Sequence, residues 1–261
     1  MKKIIIILLF AISFISIGHS QVKEDAFKSG EWFKFKMSYS GFFKAGNATI
    51  KVNETNLNGK PVFHVVGKGW TTGAIKWFFK VKDRYESYFD KTTNLPYKFI
   101  RNINEGGHTK NLELDFDQVN HKVLIKNKEN KTSKTLDTKP DIQDMISTFY
   151  YLRNKLDIEN LKIDDEIVLD MFFDEESYGF KLKYLGIDTI ETPFGKVKTL
   201  KFRPYVMAGR VFKEEESLTL WVSNDKNKIP LRVKANLAVG SLRADLEAFR
   251  GLKHQFKIIV D

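Results

Sequence analysis

Cysteine is absent from this 261-residue chain. Its absence excludes disulfide bonds, thiolate zinc sites, a cysteine nucleophile and acylation of a cysteine near the amino terminus. An exported domain of this size can fold without disulfides, provided that it forms a large core. The composition supplies that core, because 42% of the residues are hydrophobic and 22 of them are Phe.

Long hydrophobic runs are almost absent as well. The one such run, Ile4 to Ile17, follows Lys2 and Lys3 and gives way to small residues that end at Ser20. It is shorter than the roughly 20 residues of a membrane span, and its basic–apolar–small order is that of a cleaved secretory signal. We predict cleavage between Ser20 and Gln21. The mature chain should be periplasmic or secreted and have no transmembrane segment.

Catalytic and cofactor motifs are missing too. The chain has no H-E-x-x-H sequence, no Gly-rich phosphate loop and no G-x-S-x-G nucleophile elbow. We therefore predict no catalytic residues, no metal site and no cofactor, so that the protein is not an enzyme. The net charge of +10 comes without a nucleic-acid recognition motif, and we expect no nucleic-acid partner.

Alternation of apolar and polar residues dominates what is present. Leu112, Leu114 and Phe116 alternate with acidic residues, which is typical of a half-buried strand. Similar segments recur along the chain between turn residues. The pattern predicts a mainly β fold, a strongly curved antiparallel sheet or open barrel of roughly a dozen strands. No linker divides the chain, so we predict a signal peptide over 1–20 and a single β-rich domain over 21–261.

One segment, from Asp141 to Leu152, has helical spacing instead. Its apolar residues Ile142, Met145, Ile146, Phe149 and Leu152 lie on one face of an α-helix. This pattern predicts one helix that covers a face of the sheet. A last strand is predicted over Phe256 to Val260.

The richest aromatic segment runs from Trp70 to Phe79. It holds Trp70, Trp77, Phe78 and Phe79 around a Thr-Gly junction. Such a segment either plugs one end of the sheet or lines a site for an apolar ligand. We take these four residues, with Tyr85 on the inward face of the next strand, as candidate ligand-binding residues.

The following strand carries a second prediction. Neighbouring strand residues face opposite ways, so Asp83 and Arg84 cannot line one wall, whereas Arg84 and Glu86 share a face. We predict a structural ion pair between Arg84 and Glu86. If the pair is partly buried, Arg84→Ala should lower stability by about 1–3 kcal/mol.

Several blocks together resemble an exported bacterial family, domain-of-unknown-function family 3108. The blocks are Lys82–Asp90, Leu95-Pro96, Glu105-Gly106-Gly107, Asp144–Arg153, Thr192–Gly195, Arg203-Pro204, Ile229-Pro230 and Val239–Ser241. The resemblance implies export and an all-β domain, and it brings no activity or site. The expected architecture is also similar to the half-barrels of periplasmic lipoprotein carriers.

Two functions compete at this point. The first is non-catalytic binding of an apolar or lipid-like ligand in the concave face of the sheet. The alternative is an envelope assembly or scaffolding protein that acts through a protein–protein surface, which requires an exposed apolar patch or an open strand edge. A hydrolase is the less favoured third reading.

Overall fold

The computed structural model describes residues 25–206 and 218–259. The predicted signal peptide and its cleavage site lie outside these residues. Within them, no helix has the length and apolar character needed to cross a membrane.

In the described parts of the chain, fourteen strands form one antiparallel sheet, and two helices accompany them. The strands are β1 (Trp32–Tyr39), β2 (Phe43–Leu57), β3 (Lys60–Thr71), β4 (Lys82–Asp90), β5 (Pro96–Glu105), β6 (His108–Asp117), β7 (Lys122–Asn127), β8 (Thr132–Asp137), β9 (Glu166–Phe173), β10 (Glu176–Thr192), β11 (Gly195–Val206), β12 (Leu218–Ser223), β13 (Pro230–Asn236) and β14 (Ser241–Arg250). The helices are α1 (Ile75–Phe78) and α2 (Met145–Lys155). The predicted mainly β fold with a covering helix is confirmed.

The order of the strands explains why the sheet stays open. It runs β8-β7-β6-β5-β4-β3-β2-β1-β14-β13-β12-β11-β10-β9, so β8 and β9 form the two edges. Register shifts at Lys34/Phe35, Met37/Ser38 and Tyr88/Phe89 bend the central strands, as β-bulges do. The sheet therefore curves around α2 without closing into a barrel.

Isolated backbone and side-chain contacts, in place of a strand ladder, connect the β8 side of the sheet to β9. The backbone of Gln143 bridges to β9, and Lys139 pairs with Asp170 at 2.7 Å. Lys134 of β8 forms an ion pair with Glu175 in the β9–β10 turn. The segment that leads into α2 thus pairs with part of the free edge of β9.

Helix α2 begins later than the spacing predicts. Asp141 has a left-handed φ of +53°, and the chain becomes helical only at Met145. Asp144 is the N-cap, and its carboxylate accepts from the backbone N–H groups of Ile146 and Ser147, both at 2.7 Å. Most of the predicted apolar face is present, because Ile146 and Leu152 are buried, but Met145 is 38% exposed.

The core lies on the face of the sheet that faces α2, which we call the inner face. Among the described residues it consists of three clusters. The first includes Phe63, Phe89 and Tyr150, the second includes Phe33 and Leu231, and the third includes Phe202. Side chains alternate along each strand, so the residues between these face outward.

The two ends of the sheet differ. At the plug end, residues 25–31 and 251–259 pack beside the carboxyl end of α2, where Ala26 N–H donates to Asn154 Oδ1 at 2.8 Å. The predicted last strand is wrong over its described part, because residues 251–259 form no strand. Phe256 packs instead on Phe194 and Phe249, with ring centroids 5.9 and 4.9 Å away.

The tip end carries the connections at residues 40–42, 72–81, 106–107 and 237–240. Two of these connections adjoin, since Thr72 N–H donates to the Ala45 carbonyl at 3.0 Å. A third is tied to them through Ser40, whose N–H donates to the Ser241 carbonyl at 2.7 Å.

Candidate functional site

Two blocks of the resemblance meet at the start of α2. Ser87 on the inner face of β4 donates its hydroxyl to Asp144 Oδ2 at 2.5 Å. Both residues are completely buried. The hydroxyl of Ser87 thus positions the cap of the helix, and this pairing fixes where α2 crosses the sheet.

The Asp144 carboxyl should make stability depend on pH. Burial outweighs its hydrogen bonds and raises the pKa of Asp144 to about 6 from its ordinary value of 3.8. The folded chain then holds this proton more tightly than the unfolded chain, so the stability contribution is largest below pH 3.8 and falls as the pH rises towards 6. We expect the stability advantage of wild type over Asp144→Asn to shrink by at most about 3 kcal/mol across that window.

Denaturant unfolding at a series of pH values measures this change. Asp137→Asn is the control, because Asp137 is exposed and its hydrogen bond with Lys122 lowers its pKa. The control should show no such decline. A pH-independent difference between wild type and Asp144→Asn would contradict the assignment.

The carboxyl end of α2 is fixed by a second buried contact. Arg153 lies 2.6 Å from Glu31, and these side chains are 2% and 0% exposed. The guanidinium also donates to the carbonyls of Asn227, at 3.0 Å, and Ala26, at 3.3 Å. Arg153 therefore joins the helix to the amino-terminal segment and to the β12–β13 turn.

Arg84 and Glu86 lie together on the outer face, as their spacing requires. Arg84 Nε lies 2.7 Å from one oxygen of Glu86, and His64 Nε2 lies 2.7 Å from the other. The His64 ring stacks on Tyr88 with centroids 4.1 Å apart. Burial raises the pKa of Glu86, but hydrogen bonds from Arg84 and His64 outweigh it and lower that pKa overall.

Exposure revises the expected effect of removing Arg84. Its side chain is 41% exposed, so water screens the pair. We expect Arg84→Ala to reduce the free energy of unfolding by only about 0–1 kcal/mol. Glu86 is better buried and should matter more, because Glu86→Ala leaves both Arg84 and His64 without their acceptor. Thermal or denaturant unfolding of the two variants tests this order, and equal losses would contradict it.

The inner face of the same strand carries a polar group near the tip end. Burial, and then the neighbouring Glu105 carboxylate, raise the pKa of Asp83 to about 6. Burial also raises the pKa of Tyr85, and the positive charge of Arg101 offsets part of this rise. Arg101 in turn forms an ion pair with Asp174 of the β9–β10 turn. The Arg101–Asp174 ion pair thus connects β5 to that turn.

A basic cleft of about 690 Å³ opens on the outer face at the tip end. Its lining includes five cations: Lys68, Lys76, Lys80, Lys82 and Arg84. Trp70, Asn102 and Asn104 complete much of its wall, and Gly69 and Asp83, at inner-face positions of β3 and β4, also border it. The charge of this cleft suits an anionic group.

The five candidate ligand-binding residues are not brought together. Trp70 lies in the outer-face cleft, whereas Tyr85 faces inward beside Phe99. Trp77 and Phe78 are 87% and 89% exposed at the tip. Phe79 packs over Gly106, which has a φ of +61° and no Cβ in the path of the ring. Sequence reasoning grouped these residues because they are neighbours in the chain, and alternation along the strands then separated Trp70 from Tyr85.

Sequence reasoning missed Glu31 and the lysines around the cleft. Glu31 precedes the first strand and carries no pattern that marks it as buried. The cleft lysines all lie between residues 68 and 82, and their density in this short region could have indicated a basic site.

Comparison with solved structures supports the fold. A β-barrel-like protein of the domain of unknown function DUF1849, from Brucella abortus, has a TM-score of 0.58 at 11% identity, covering 87% of this chain and 99% of that one. A DUF1089 family protein from Pseudomonas aeruginosa has a TM-score of 0.37 at 10% identity, covering 70% and 87%. At these identities the first likeness shows the fold alone, and the second carries no argument. No curated protein matches the chain.

A family model matches residues 34–247, which run from β1 into β14 and include both blocks that anchor α2. This match covers most of the chain, and the chain therefore belongs to the family described as Protein of unknown function (DUF3108).

Proposed function

We propose that this protein is an exported, non-catalytic binding protein that holds an apolar or lipid-like ligand on the inner face of its sheet. The site is a strip of small residues on β2 and β3, towards the tip end. We define this inner strip as Ala48, Gly67 and Gly69. Ala48 pairs with Gly69, and Ile50 pairs with Gly67, so the strip spans two neighbouring strands.

The single observation that supports the proposal is the space beside Gly69. A Cβ at Gly69 would meet no atom within 4 Å, and one at Gly67 would be 3.8 Å from Ile146. Both glycines are half-exposed although they face the same way as the buried Val65. Glycine inside a strand marks a bulge, a tight bend or a close approach by a ligand or another backbone, and the open space beside Gly69 favours a ligand here.

Most of the surroundings of the inner strip suit an apolar ligand, although the Asp83 carboxyl lies opposite Gly69 on β4. Ile50 borders two core clusters, and Phe149 of α2 packs against the same two clusters while remaining half-buried. Tyr85 contributes its ring at the neighbouring strand. A ligand here would bury apolar surface without disturbing the aromatic cluster around Phe89, and burial of apolar surface is favourable.

Extraction of the purified mature chain with organic solvent, followed by mass spectrometry, tests the proposal. We expect a reproducible lipid-like species from the wild type and little of it from Gly69→Leu, because the added side chain occupies the strip. Gly179→Leu is the matched control. Gly179 is also a strand glycine with no atom within 4 Å of an added Cβ, but it faces opposite to Phe180 and Leu182.

The control should retain the ligand, and both variants should fold as the wild type does. A wild-type protein that is empty in every preparation would contradict the proposal. Equal ligand content in Gly69→Leu and wild type would place the ligand elsewhere and would contradict the strip as its site.

The competing role, a scaffold that acts through its surface, requires an exposed apolar patch. Such a patch is present, because Phe42, Phe43, Trp77 and Phe78 are all strongly exposed at the tip end. This patch lies in a different part of the molecule from the inner strip, so a role for the patch does not depend on a ligand in the strip.

A further inference from the structure

The tip end exposes large aromatic side chains on two adjoining connections. Phe42, in the β1–β2 turn, and Phe43, the first residue of β2, are 89% and 69% exposed, and Trp77 and Phe78 are 87% and 89% exposed in α1. We call these four residues the aromatic tip. The hydrogen bond from Thr72 to Ala45 holds the two connections side by side.

These aromatic residues contribute little to folding. Helix α1 has no buried residue, and side chains this exposed make few contacts with the core. Single exposed apolar residues are ordinary in proteins, but a cluster of large ones marks an interaction site. The aromatic tip is therefore available to something outside the chain.

The charge around the aromatic tip is positive. Lys44 follows Phe43, and Lys76 and Lys80 flank the exposed residues of α1. Lys68 and Lys82 lie in the basic cleft behind them. Within the described parts of the chain, none of these five lysines forms a salt bridge, although most carboxylates elsewhere on the sheet do. Among the described residues, the aromatic tip thus presents apolar rings beside lysines that form no salt bridge, although Lys44 lies within electrostatic range of Glu247.

This combination matches the chemistry of an anionic bilayer surface. Trp is enriched at the level of the lipid headgroups, Phe inserts into the acyl boundary, and lysines attract anionic headgroups. A stable protein–protein interface needs anchor residues that are closely packed and desolvated by the partner. Short turns that project separate, nearly fully exposed rings suit insertion into lipid better than such packing.

We propose that the protein docks on anionic lipid membranes through the aromatic tip, with Lys44, Lys76 and Lys80 contacting the headgroups. Docking in this orientation presents the tip end of the sheet to the bilayer. The proposal rests on the exposure and charge of the tip and not on a ligand in the inner strip, so either can fail without the other.

Flotation of the mature chain with vesicles tests the docking. The probes are vesicles of phosphatidylcholine mixed with phosphatidylglycerol, and vesicles of phosphatidylcholine alone. We expect binding to the anionic vesicles at low salt, weaker binding at high salt, and little binding to the neutral vesicles. No binding to anionic vesicles at low salt would overturn the proposal.

Two pairs of variants separate the apolar and charged contributions. The first is the double variant Trp77→Ser/Phe78→Ser, and the second is the double variant Lys76→Glu/Lys80→Glu. Each should weaken vesicle binding by about tenfold or more. The matched controls are Val119→Ser, at an 86% exposed apolar residue in the β6–β7 turn, and Lys28→Glu with Lys51→Glu, which make the same change in net charge away from the tip. The control variants should bind nearly as the wild type does.

Two outcomes would contradict docking through the tip. One is equal weakening in tip and control variants, which would indicate a general charge effect. The other is capture of a stable protein partner by the aromatic tip without any affinity for vesicles, which would assign the tip to a protein interface. Circular dichroism of each variant confirms that the fold is intact, since all substituted side chains are exposed.

Discussion

Replacing Arg153 by Met is expected to lower the free energy of unfolding by about 3–5 kcal/mol, because it leaves the Glu31 carboxylate buried without its cation. Glu31 is completely buried, and both of its oxygens accept from the guanidinium, at 2.6 and 2.8 Å. The carbonyl of Asn227 would lose two donors at the same time. Unfolding in urea, followed by circular dichroism, measures the loss.

Two further variants show whether the loss comes from the isolated charge. Arg153→Met combined with Glu31→Leu removes both charges and should recover much of the stability, as replacement of buried ion pairs by apolar residues often does. Arg84→Met is the matched control, because it removes a similar pair that is 41% exposed. Equal losses in Arg153→Met and Arg84→Met would contradict the importance of burial.

Replacing Phe89 by Ala is expected to cost a similar amount, about 3–5 kcal/mol, through a cavity in the largest core cluster. Phe89 is completely buried on β4. Its ring centroid lies 5.7 Å from that of Phe63, 5.6 Å from that of Tyr150 and 6.4 Å from that of Phe27. These neighbours belong to β3, α2 and the amino-terminal segment, so the cavity weakens three contacts with β4.

Phe78→Ala is the control for this prediction. It is the same substitution at a residue that is 89% exposed, and it should change the free energy of unfolding by less than about 0.5 kcal/mol. Equilibrium denaturation of both variants gives the comparison. A loss at Phe89 no larger than that at Phe78 would show that the cluster does not support the fold.

Strands were predictable because their pattern is local. Leu112, Leu114 and Phe116 form the buried side of β6, as their alternation with acidic residues indicates. The acidic residues between them face outward, and Lys98 pairs there with Glu113 at 2.8 Å. Alternation of this kind reports which side of a strand is buried and needs no knowledge of its neighbours.

The start of α2 could not be read from spacing alone. The helical pattern begins at Ile142, but residues 141–144 are held outside the helix. The backbone of Gln143 is hydrogen-bonded to β9. Its N–H donates to the Asp170 carbonyl at 2.9 Å, and its carbonyl accepts from the Phe172 N–H at 2.8 Å. Contacts made with a strand distant in sequence therefore decided where the helix begins.

The sequence by itself determined the period of the strands, the single long helix and the predicted export signal, because each depends on residues close together in the chain. The tertiary structure alone decided that Trp70 and Tyr85 lie on opposite faces, that Glu31 meets Arg153, and that the aromatic tip gathers two connections. The first depends on how strands β3 and β4 pair, and the last on two connections meeting at one end of the sheet, whereas Glu31 and Arg153 are 122 positions apart in the chain. Pairing over such distances is set by burial of the whole inner face, which no short segment of sequence records.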